Sequence, residues 1–94
     1  MKLLNNEQIN DFMLNNTGWI LNGEKLTRDF TLNSFTDSLT FVVKVGIEAE
    51  KLDHHPDILL HSWNKVRIML TTHSANGITD LDIKLANQIE ILTK

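Results

Sequence analysis

Apolar residues recur at helical spacing in some stretches of the chain and at every second position in others. Between about Asn6 and Asn15, Ile9, Phe12 and Met13 fall on one face of a helix, with Asn5 or Asn6 available as its cap and Glu7 in the first turn. Asn15, Asn16 and Gly18 predict its end. Two extended runs follow, Trp19 to Leu21 and Lys25 to Leu32. They flank Asn22-Gly23, a pair that accepts the positive φ of a tight hairpin turn. Leu26, Arg28, Phe30 and Leu32 share one side of the second run by period two. Arg28 is the polar member of that set, and reads as an edge arginine laying its stem along the core or as a contact to a partner or substrate.

Phe35 to Leu52 reads as a second helix. Ser34 with Asp37 suits a capping box, and Phe35, Leu39, Val42, Val43, Gly46 and Ala49 form a broad stripe. The β-branched run Phe41-Val42-Val43-Lys44-Val45 would also suit a strand; the length of the periodic segment and its Glu48-Ala49-Glu50-Lys51 ending favour helix. Pro56 cannot continue that helix. Ile58 to Trp63 and Lys65 to Thr72 then predict a second hairpin turning near Asn64. Val66, Ile68 and Leu70 face one way, and Arg67, Met69, Thr71 and His73 the other if the strand extends that far. A capping box at Thr79-Asp80-Leu81-Asp82 starts the last helix, with Ile78 as a staple and Leu81, Leu85, Ile89 and Leu92 aligned. The order α-β-β-α-β-β-α predicts one α+β domain over residues 1–94, a four-stranded antiparallel sheet with helices packed on one face.

Composition narrows what such a domain can do. The absence of cysteine removes disulfides, thiolate nucleophiles and thiolate zinc sites. A net charge of −3, with the basic residues scattered, argues against direct nucleic-acid binding. There is no signal-like segment at the amino terminus and no apolar run near the ~20 residues that span a bilayer, so no membrane contact is expected and the location expected is cytoplasmic. A chain of 94 residues has little core to spare, which makes self-association a natural supplement.

Three of the four histidines, His54, His55 and His73, bracket the second predicted hairpin, whose ends must come together. Imidazole titrates near pH 6.5, so such a group can give or take a proton at neutral pH, and several together can divide acid and base work. From spacing alone, surface or hydrogen-bonded structural histidines account for the pattern equally well. A zinc site has three possible ligands here but no His-Glu-x-x-His stretch to support it, and no metal is expected. His61 lies apart and reads as structural.

Glu50, three residues, His54-His55-Pro56, a spacer, the aromatic Trp63, nine residues, His73, a loop and Asp82 form an ordered pattern that resembles the pterin-4a-carbinolamine dehydratases. Weaker agreement reaches both ends, through Gly18-Trp19, Leu26-x-Arg28-x-Phe30 and Asp82-Ile83-x-Leu85-Ala86. The spacer is at the long end of the family range and Trp63 stands where tyrosine is commoner, a change that bears on the first strand's register or the pocket wall.

The resemblance implies dehydration of a 4a-hydroxytetrahydropterin to the quinonoid dihydropterin, in recycling tetrahydrobiopterin after an aromatic amino acid hydroxylase. It needs no cofactor, because the pterin is the substrate. It also implies a homodimer or homotetramer. His54 and His73 are then the candidates for protonating the leaving group and His55 for binding or orienting it. Glu50 and Asp53 would contact the pterin's amino and amide edge or hold an imidazole tautomer, unless they are a solvated helix end. Thr71 and Thr72 would offer hydroxyl or backbone groups to the ligand. Asp82 reads as a helix cap. A non-catalytic dimerisation module, a transcriptional coactivator or assembly factor, is the alternative on the same fold.

Overall fold

A computed structural model describes all residues 1–94. Its elements run α1 (Asn6–Asn15), β1 (Ile20–Asn22), β2 (Lys25–Thr31), α2 (Phe35–Leu52), β3 (Asp57–His61), β4 (Lys65–Leu70), a 3₁₀ turn (His73–Ala75) and α3 (Asp80–Leu92). The four strands form one antiparallel sheet in the order β1-β2-β4-β3, so the second hairpin inserts β4 beside β2 and leaves β3 at an edge. Register sets Leu26 opposite Leu70, Phe30 opposite Val66 and Ile58 opposite Ile68. Period two therefore gathers these side chains on one face, where the helices supply Ile9, Phe12, Phe41, Val45, Leu85 and Ile89 to a common core. The predicted fold class holds.

Caps set the helix ends. Asn5 and Gln8 form a full capping box at α1, as do Thr79 and Asp82 at α3; at α2 only half the predicted box forms, with Ser34 accepting from the Asp37 N–H. Three of the four strands are shorter than predicted. β3 stops at His61 because Ser62 and Trp63 both take positive φ (51° and 57°) to make the turn, and β4 stops at Leu70 because the chain bends into the 3₁₀ turn. His73 therefore does not extend the alternation of Arg67 and Met69. β1 is shifted one residue, to Ile20–Asn22, because Trp19 turns inward and is buried.

One prediction about α2 is corrected. Its buried line is Ser38, Phe41, Val45 and Ala49, whereas Phe35, Leu39 and Val43 of the predicted stripe are exposed, together with Ile47. The helix is apolar on two sides, so period alone did not select the inner one. Ser38 can lie inside because its hydroxyl donates to the Ser34 carbonyl at 2.9 Å.

Arg28 behaves as the stem-on-core reading expects. Its guanidinium lies 4.6 Å from the Phe30 ring centre, and Nη1 donates to the Thr17 carbonyl at 2.7 Å. Its Nε is 2.8 Å from Glu90 Oε1, an ion pair outside hydrogen-bonding alignment, and the same oxygen accepts from Trp19 Nε1 at 2.8 Å. This cluster requires Gly18: φ there is +105°, and a methyl group would overlap Arg28 Nη1. Gly18→Ala should lower stability by about 2 kcal/mol in urea unfolding, and an unchanged midpoint would contradict this account.

The amino-terminal segment before α1 is tied to the start of α3 and the residues just before it. The Lys2 N–H donates to Asp80 Oδ1 at 2.7 Å and the Leu4 N–H to the Ile78 carbonyl at 2.8 Å. The Lys2 hydrogen bond, assisted by the positive amino terminus, holds the Asp80 carboxyl below its ordinary value of 3.8. A depressed carboxyl contributes stability above its unfolded pKa and loses it as pH falls through the lower folded value. Asp80→Asn should accordingly make stability fall less steeply between about pH 5 and pH 2, as read from unfolding curves across that range.

Candidate active site

The site begins where α2 ends. Asp53 closes the helix in the left-handed region (φ 48°, ψ 44°), its N–H donating to the Glu50 carbonyl while the His54 N–H reaches back to the Ala49 carbonyl. This is a Schellman arrangement with aspartate in the place that glycine commonly takes. It turns the chain sharply, and Pro56 prevents the helix from resuming. His54 and His55 are thus delivered to the mouth of β3.

The two imidazoles have opposite environments. His54 is largely enclosed, its side chain 11% exposed, and its Nε2 lies 2.5 Å from Oδ1 of Asp82, which is fully buried. His55 points outward, with Nε2 2.7 Å from Glu50 Oε1, both side chains well exposed. A solvated pair of this kind contributes little to stability and leaves both groups able to engage a ligand. Behind His55 a shallow concavity is lined by Val43, Gly46, Ile47, Pro56 and Ile58.

Asp82 is the hub of the buried part. Its Oδ2 accepts from the Thr79 N–H at 2.9 Å, closing the capping box, and from the Thr72 hydroxyl at 2.8 Å. Thr72 and Thr79 share a further hydroxyl contact of 2.8 Å, and the Leu81 N–H donates to Thr79 Oγ1 at 3.3 Å. The cap expected of Asp82 is present, and the same carboxylate also holds His54. Thr72, expected as a ligand contact, is 5% exposed with its hydroxyl spent on these partners, so its side chain shapes the site through Asp82.

His73 follows Thr72 on the 3₁₀ turn after β4, at the same end of the hairpin. Thr72 and His54 meet on the two oxygens of Asp82, so the chain leaving β4 lies beside the chain entering β3. Thr72 and Gly77 bridge the base of the following loop, where Asn76 in the left-handed region closes the 3₁₀ turn. His73 is exposed on that loop, and with Thr71 and Asn76 it faces Asn22, Glu24 and Lys25 of the β1–β2 turn across a polar concavity. The β2–β4 register brings that turn close, since Leu26 pairs with Leu70.

The three histidines therefore share one end of the hairpin, but His55 and His73 line two concavities rather than one. They are not clustered tightly enough to hold a common metal ion. Asp53 is exposed at the helix end beside them. Trp63 is not part of the pocket wall: it lies on the turn at the far end of β3, 60% exposed. His61, at that same end, contacts Ser62 Oγ through Nδ1 at 3.1 Å. Sequence reasoning missed the link from His54 to Asp82 and the part played by Thr79. The Thr79-x-x-Asp82 box was a visible signal for the cap, but nothing local pointed across to His54.

The family model described as pterin 4 alpha carbinolamine dehydratase matches residues 2–92. A relative from Sulfurisphaera tokodaii named "Putative pterin-4-alpha-carbinolamine dehydratase" is 40% identical over 99% of this chain and 100% of its own. One of the same name from Prochlorococcus marinus is 39% identical over 98% and 96%. The crystal structure of a transcriptional coactivator/pterin dehydratase from Brucella melitensis superposes with a TM-score of 0.89 at 34% identity, covering 99% of this chain and 100% of that one. A pterin dehydratase-like protein identified as a RuBisCO assembly factor in the alpha-carboxysome shares the fold, with a TM-score of 0.66 at 18% identity over 82% of this chain and 90% of its own.

Proposed function

Because the chain belongs to the pterin-4a-carbinolamine dehydratase family, we propose that it removes water from a 4a-hydroxytetrahydropterin by histidine acid–base catalysis. The observation that carries this reading is the enclosed His54, held by the buried Asp82 carboxylate beside the exposed His55 and at the hairpin end that His73 also reaches. The reaction breaks the bond between the ring carbon and its hydroxyl oxygen. A proton must reach that oxygen so that it departs as water, and the adjacent ring nitrogen must lose its proton as the carbon–nitrogen double bond forms.

Imidazoles suffice for both transfers, so the reading calls for no cofactor. His54 and His73 serve as acid and base, and His55 with Glu50 holds the ligand; Asp53 and Thr71 border it. The place in metabolism that follows is recycling of a tetrahydropterin after a hydroxylase has used it, in the cytoplasm. No helix of this chain is long and apolar enough to cross a membrane.

The test generates the hydroxylated pterin in situ and follows its loss. The wild-type protein should outpace buffer, and His54→Ala and His73→Ala should each lower kcat by about 10²-fold or more. Full activity in both variants would remove the assignment, and a wild-type rate equal to buffer would favour a non-catalytic binding module.

The protein is also proposed to act as a homo-oligomer, dimer or tetramer. Phe35, Leu39, Val43 and Ile47 recur one turn apart along the outer side of α2, each about half exposed or more. At Gly46, beside them, an added methyl group would meet nothing within 4 Å. A second copy presents the same apolar line, and mutual burial would remove both from water. Leu39→Glu combined with Val43→Glu should reduce the mass measured by light scattering from a multiple of the chain to a single chain; a monomeric wild type would refute the interface.

A further inference from the structure

We propose that Asp82 is a positioning residue that holds neutral His54 in the Nε2–H form, so that Nδ1 is the nitrogen exchanging protons with the ligand. The catalytic consequence rests on the dehydratase reading; the tautomer does not.

Hydrogen accounting leads to this assignment. The Thr79 backbone N–H can only donate, and it donates to Asp82 Oδ2. The Thr72 hydroxyl has one hydrogen and places it on the same oxygen. The hydroxyl contact between the two threonines must then be supplied by Thr79, whose own oxygen accepts from the Leu81 N–H. Every donor in this chain runs toward the carboxylate, and Asp82 is fully buried, out of contact with bulk solvent. Oδ1, as a carboxylate acceptor, asks the facing Nε2 of His54 for a hydrogen, so the neutral ring keeps its lone pair on Nδ1. A buried carboxylate oriented by other hydrogen bonds thus fixes which imidazole nitrogen is free, the logic by which an aspartate serves a catalytic histidine in other enzymes. The ring is also held in place: Asp82 is pinned to the start of α3 and, through Thr72, to the chain leaving β4.

The decisive measurement is a long-range ¹H–¹⁵N spectrum of the histidine side chains of the full-length protein, at a pH where His54 is neutral, with His54 assigned from a His54→Gln variant. The wild type should show the Nε2–H pattern for His54. Asp82→Asn keeps an acceptor for the cap but presents an amide N–H to the ring when its carbonyl stays on Thr79; it should switch His54 toward Nδ1–H. It should also lower kcat by about 10³-fold with KM within about threefold, the signature of a wrong tautomer rather than lost binding. Thr72→Val, which removes one donor and keeps the side chain's shape, should loosen the preference and reduce kcat less. If Asp82→Asn does not fold, the wild-type and Thr72→Val spectra still decide. A wild-type His54 in the Nδ1–H form, or the same tautomer in wild type and Asp82→Asn, overturns the assignment. A wild type with the Nε2–H pattern but no dehydratase activity supports the tautomer and instead refutes the reaction.

Discussion

A single carboxylate with no access to water constrains this structure more than any other group. Burying a charged or strongly polar side chain costs several kcal/mol unless its hydrogen-bonding capacity is filled, and removing one partner of such a group typically costs about 3–5 kcal/mol. Asp82 meets the requirement with Thr79, Thr72 and His54, which lie at the start of α3, just beyond β4 and just beyond α2. Three distant stretches of chain must therefore meet before that carboxylate is satisfied. Folding the domain and assembling the site become, at this corner, one event, and the precision of His54 follows from a condition the fold must meet anyway.

The remaining polar groups at the corner are arranged on the opposite principle. His55 and Glu50 are mostly in water, as are His73 and Asp53, and each sits where the backbone turns: the left-handed close of α2 or the small loop bridged by Thr72 and Gly77. Such side chains hold little of the fold's stability and are available to a ligand. One enclosed imidazole of defined orientation, flanked by exposed partners, suits a reaction in which a proton must be delivered to one atom while the rest of a planar ligand is gripped. His55 and His73 each line a concavity, one partly apolar behind His55 and one polar beside His73.

Helix α2 serves three purposes with three of its parts. Its inner line of Phe41, Val45 and Ala49 closes the core, its end delivers the histidines, and its outer line of apolar residues is left over once the single domain is built. The concavity behind His55 includes Val43 and Ile47 from that outer line. Packing on the helix's exposed side and the shape of the site are consequently adjoining properties of one element.

Much of this was legible from residue order. Local signals placed all three helices and both hairpins: the Asn5 and Thr79 caps, Asn22-Gly23, the alternation of Val66, Ile68 and Leu70, and Pro56 after the histidine pair. These depend on steric and hydrogen-bonding preferences within a few residues, which sequence alone determines. It also confined the candidate chemistry to imidazoles and carboxylates at one hairpin end. What required the tertiary structure was every choice between locally equivalent options: which apolar side of α2 turns inward, where β3 and β4 stop, and that Trp63 lies at the opposite end of the hairpin from His54, His55 and His73. The pairing of His54 with Asp82 belongs to the same class. Twenty-eight positions separate them, and only the packing of α2, β4 and α3 around a shared core brings the two rows of atoms within hydrogen-bonding distance.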